Sequence, residues 1–66
     1  MDESDLVRRI KAGKGDVVRL NRSVLLNIWG MLLDQDELVE KVRRLCLKHG
    51  FVSRYDEATK EFRIRS

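Results

Sequence analysis

Cys46 and His49 lie three positions apart, a spacing that on a helix brings a thiol beside an imidazole, the two parts of an activated nucleophile. Both fall on the apolar side of their predicted helix, and no third group stands ready to orient the imidazole, so Cys46 reads as an inert core cysteine. One cysteine and one histidine cannot fill a zinc coordination sphere, and a lone cysteine excludes an intramolecular disulfide. Gly13-Lys14-Gly15 has the residue types of a phosphate loop without the rest of the G-x-x-x-x-G-K-[ST] pattern, and reads as a turn. Asp34-Gln35-Asp36-Glu37 gathers carboxylates but lacks the ligand spacing and glycine of a calcium loop. No catalytic residue, cofactor or metal site is expected, and the chain does not read as an enzyme.

The chemistry that remains is charge. Nine arginines and five lysines stand against eleven acids, a formal net charge of +3. Arginine suits bidentate phosphate or carboxylate contacts, which tilts the reading toward a polyanionic partner. Yet residues 34 to 66 hold eight basic and seven acidic side chains, so no basic block or tail exists. A small excess of charge speaks to non-specific association; what decides a site is where the basic residues point.

Length sets the frame for these side chains. Sixty-six residues form one small domain, spanning 1–66, that buries only about 60% of the surface its unfolded form exposes. Most of the 42% of residues that are hydrophobic are therefore needed inside, leaving little for an enclosed substrate cavity. No apolar run approaches the roughly 18 residues of a membrane span, and Met1 to Asp5 is acidic where a signal peptide is basic. With a single cysteine, this reads as a complete, cytoplasmic chain in a reducing compartment.

Apolar spacing and capping residues predict the elements. Ser4 or Asp2 caps a first helix with Leu6, Val7 and Ile10 on one face and Asp5 paired to Arg9; Gly13 ends it. After a turn at Lys14-Gly15-Asp16, Val17 to Leu20 favours a short strand. Asn21 caps a second helix, apolar from Val24 to Leu33 except at Asn27 and Gly30, with Val24, Leu25, Ile28, Met31 and Leu32 on its inner face. Trp29 belongs to the core rather than to a stacking platform. Asp34 and Glu37 form a capping-box variant that starts a third helix, with Leu38, Val39, Val42, Leu45 and Cys46 inward and Gly50 as its stop. Phe51 to Tyr55 is a strand, Asp56 to Glu61 a polar loop, and Phe62 to Arg65 an alternating strand with Phe62 and Ile64 inward and Arg63 and Arg65 outward.

This α-β-α-α-β-β order, an α+β domain of three helices with a small antiparallel sheet, resembles the winged helix-turn-helix superfamily. The stretch VEKVRRLCLKHGFVSRYDEATKEFRI, from Val39 to Ile64, is similar to the recognition helix, closing glycine and wing of regulators of the MarR type. The resemblance implies a DNA-binding transcriptional regulator, with the third helix in the major groove and the wing along a neighbouring backbone. Carried over by position, it implies nucleic-acid contacts by Arg43, Arg44 and Lys48 on the third helix and by Arg54, Lys60, Arg63 and Arg65 on the wing. Arg22, at the start of the second helix, joins them as a phosphate contact. The pattern departs from the family in the first half of the third helix, where Asp34, Asp36, Glu37 and Glu40 would face phosphates.

Leu26, Leu33 and Leu47 are surplus to one small core and imply an oligomer or partner interface. A homodimer would present two half-sites to DNA. The second reading of the chain is a protein-interaction module, an adaptor subunit or small inhibitor, using the apolar second helix and the mixed charge of the third.

Overall fold

Each helix begins where a short polar side chain can take up N–H groups that the helix leaves free. The computed structural model describes residues 2–66. Asp2 caps α1 (Glu3–Ala12): its carboxylate accepts from the Asp5 N–H at 2.9 Å, and the Asp5 carboxylate accepts from the Asp2 N–H at 3.5 Å. Asp5 then reaches Arg8 at 3.6 Å, the i+3 neighbour, and not the expected Arg9. A turn follows in which Lys14 and Gly15 both have positive φ, 39° and 92°; the Gly15 N–H donates to the Ser66 hydroxyl at 3.1 Å.

Strand β1 (Val18–Asn21) ends on a residue with two jobs. Asn21 closes the strand and caps α2 (Arg22–Trp29), its Oδ1 accepting from the Val24 N–H at 3.0 Å. Here the expected helix to Leu33 is corrected. Gly30, at φ 135° and ψ 138°, adopts backbone that side chains rarely tolerate, and α2 stops at Trp29. Met31 and Leu32 leave the expected inner face and stand 67% and 99% exposed. Leu26, within α2, and Leu33, beyond the break, are expected as surplus but pack half-buried against the core. Trp29 packs there too.

The capping box at α3 (Gln35–His49) forms as the spacing requires: Asp34 accepts from the Glu37 N–H at 2.8 Å, and Glu37 accepts from the Asp34 N–H at 3.4 Å. Gly50, left-handed at φ 72°, ends the helix. Leu38, Val42, Leu45 and Cys46 are buried; Val39, at the edge of that stripe, is 42% exposed and not inward as expected.

Strands β2 (Val52–Asp56) and β3 (Glu61–Arg65) form a hairpin, and β1 adds to its far side, giving an antiparallel sheet of order β1-β3-β2. Because Asp56 pairs with Glu61, the loop shrinks to residues 57–60, with Lys60 left-handed at φ 60°. Phe62 and Ile64 face the helices, opposite Leu20 and Val18 of β1, and close a core with Leu6 and Ile10 of α1 and Leu25 of α2. The described residues thus form an α+β layer pair: three helices on one face of a three-stranded sheet, the other face turned away from them.

Candidate functional site

The eight basic residues singled out in the sequence do not form one surface. Arg54, Arg63 and Arg65 lie together on the outer face of the sheet, lining an open depression of about 430 Å³ with Val17 and Val52 at its sides. Arg22 and Lys60 meet at the hairpin end, where they border a second depression with Gln35 at the start of α3, Tyr55 and Glu57. Arg44 and Lys48 flank the C-terminal half of α3 beside Lys41 and Glu3 of α1. Arg43 is exposed on α3 and lines none of these three depressions.

Most of these side chains are free of ion pairs. Arg44 Nε lies 3.2 Å from Glu40 Oε1, and Arg63 Nη2 lies 2.8 Å from Asp56 Oδ2. The other six, Arg22, Arg43, Lys48, Arg54, Lys60 and Arg65, are exposed and have no carboxylate within 4 Å among the described residues. The acids at the start of α3 are largely occupied: Asp34 and Glu37 serve as caps, and Glu40 holds Arg44.

Sheet register brings in a residue that the sequence reading passed over. Arg19 of β1 stands opposite Arg63 of β3, and Arg63 in turn stands opposite Arg54 of β2. Three arginines therefore form one row across the outer face, with Arg65 two residues further along β3. The alternation Val18-Arg19-Leu20 carried the signal, since two buried neighbours force Arg19 outward. On the hairpin side of this row, Asn21, Glu61 and Asp56 form the adjacent row. The Ala58 N–H at 2.9 Å holds Asp56 below the ordinary carboxylate range, with the Thr59 N–H and Arg63 acting in the same direction against a partial burial. Arg63 Nε is shielded and has no hydrogen-bond partner among the described residues.

Cys46 and His49 do not meet as a reactive pair. Cys46 is 5% exposed, and burial pushes its thiol above the usual range against the opposing pull of the Ser53 hydroxyl. The His49 ring stacks on Phe51, centroids 5.5 Å apart. Among the described residues, no group of three or more His, Cys, Asp or Glu is gathered to hold a metal ion, and no helix is long and apolar enough to cross a membrane. Comparison of the chain with protein-family models, with curated proteins and with solved structures finds no match.

Proposed function

We propose that this chain is a winged helix-turn-helix protein that binds duplex DNA and acts as a small transcriptional regulator. In this reading β2 and β3 form the wing, and the C-terminal half of α3 approaches the groove. The observation that carries it is the set of six exposed basic side chains without ion-pair partners, drawn from α3, the hairpin and the start of α2. Asp34 and Glu37 are held as caps at the start of α3, so the groove contact in this reading is made by the C-terminal half of the helix, away from these carboxylates. Arginine at Arg43 or Arg44 reads guanine bidentately, whereas Lys48 and Lys60 neutralise phosphate. A titration of labelled duplex at two or more salt concentrations tests the proposal. Binding should weaken steeply with salt, at about 0.9 in the log–log slope per phosphate contacted; no binding at low salt removes it.

A second reading, an adaptor or dimerising module, draws on one observation: Met31, Leu32 and Leu47 stand 67%, 99% and 73% exposed. Of the three leucines first assigned to an interface, Leu47 is the most exposed, while Leu26 and Leu33 are partly buried against the core. Sedimentation of the free protein discriminates: an oligomer that Leu47→Glu returns to monomer, without loss of fold, favours this reading, and a monomer throughout counts against it.

A further inference from the structure

The outer face of the sheet carries a cost that the fold itself does not explain. Arg19, Arg63 and Arg54 occupy directly opposed positions on β1, β3 and β2, so their Cα atoms follow one another at about the strand separation of 4.8 Å. Like charges placed directly opposite one another in a sheet are destabilising. One carboxylate, Asp56, meets Arg63, while Arg19 and Arg54 have no ion-pair partner among the described residues. Arg65 extends the positive region away from the row of Asn21, Glu61 and Asp56, so the face is polarised along β3.

We infer that this face is a phosphate-binding surface whose ligand is a phosphodiester backbone, with Arg19 as its previously unassigned member. The inference rests on the nucleic-acid reading for the identity of the polyanion, but it places the main backbone contact on the sheet rather than on α3. Guanidinium groups present forked donors that match phosphate oxygens, and a row of three spanning two strand separations meets successive charges of one strand. Val17 and Val52, 51% and 52% exposed, line the depression together with Arg54, Arg63 and Arg65. The shielded Arg63 Nε–H gains an acceptor if the side chain swings from Asp56 toward a phosphate.

Two measurements on the full chain test this. In the first, a labelled 20-base-pair duplex is titrated at several salt concentrations with the wild type, with the Arg19→Gln/Arg54→Gln variant and with the Arg43→Gln/Arg44→Gln/Lys48→Gln variant, each checked for fold by circular dichroism. The sheet variant should bind at least tenfold more weakly at low salt, lower the slope by about 1.8 for two lost contacts, and melt no lower than wild type. Wild-type affinity and slope in the sheet variant, with loss in the α3 variant, overturn the inference and leave the nucleic-acid reading standing. Equal affinity of the wild type for poly-glutamate of matched charge overturns the assignment to phosphate. In the second, inorganic pyrophosphate is titrated while the arginine Nε–H resonances are followed. Saturable shifts at Arg54 and Arg63 that vanish with Arg19→Gln support the surface even where no duplex binds, an outcome that removes the nucleic-acid reading alone; unmoved resonances overturn the inference.

Discussion

Trp29 donates its indole Nε1–H to Glu3 Oε1 at 2.9 Å, joining the last residue of α2 to the first of α1 across 26 positions of sequence. The ring packs against the core while its polar edge stays at the surface, so one side chain closes the helical layer in two ways. Replacing it with Phe keeps much of the packing and removes the donor. Trp29→Phe is expected to lower stability by about 1 kcal/mol, and Glu3→Gln, which retains an acceptor, by less than half of that. Urea midpoints of the two variants check the order; equal losses would assign the effect to charge rather than to the hydrogen bond.

Lys60 sits at φ 60° in the hairpin loop, a left-handed conformation that costs an ordinary residue free energy and glycine almost none. Lys60→Gly is therefore expected to raise stability by roughly 0.5 kcal/mol or more. If Lys60 contacts phosphate, the same variant lowers the salt slope of duplex binding by about 0.9. Thermal melting and the binding titration should move in opposite senses.

Cys46 is buried with its thiol held above the usual range, so its thiolate is scarce at neutral pH. Labelling by a disulfide reagent should follow the fraction of unfolded chain, rising together with the urea transition. Rapid labelling of the folded protein would contradict the packing of α3 against β2.

Asp56 has its carboxyl depressed in the folded chain, chiefly by the Ala58 N–H. A depressed folded value means that the unfolded chain takes up the proton first as pH falls. The stabilisation is thus complete above the ordinary value of 3.8 and is lost as pH drops through the lower folded value. Asp56→Asn keeps an acceptor for Ala58 but loses the charge that meets Arg63. The variant should show a shallower acid loss of stability than wild type, measured by denaturant midpoints from pH 6 downward. Parallel curves would remove Asp56 as a source of that dependence.

The third helix was legible because its start and stop are local chemistry: Asp34 and Glu37 close the cap and Gly50 takes the left-handed position. The second was misread at its end, since an apolar run that continues across Gly30 hides the break in a pattern of hydrophobicity. What ends α2 is a backbone angle, and the residues beyond it, Met31 and Leu32, become surface. Beyond the break Leu33 packs against the core again, as Leu26 does within α2, each of them only partly buried. Which basic residues point outward was readable from alternation, as at Arg63 and Arg65. Their division into separate surfaces was not, because it depends on which residue of β1 stands opposite which residue of β3. Arg19 becomes part of the site only once its pairing with Arg63 is known.

The position of β3 between β1 and β2 also orders how the chain acquires its structure. The β2–β3 hairpin closes through a loop of four residues and can form within about 1–10 μs. Strand β1 pairs only with β3, joining Val18 to Ile64 across more than forty positions, and must wait for that template. Closing so long a loop carries an entropic penalty that local helix formation does not. Docking of β1 is therefore expected as a late step in folding, and with it comes Arg19: the arginine row is completed only when the domain is.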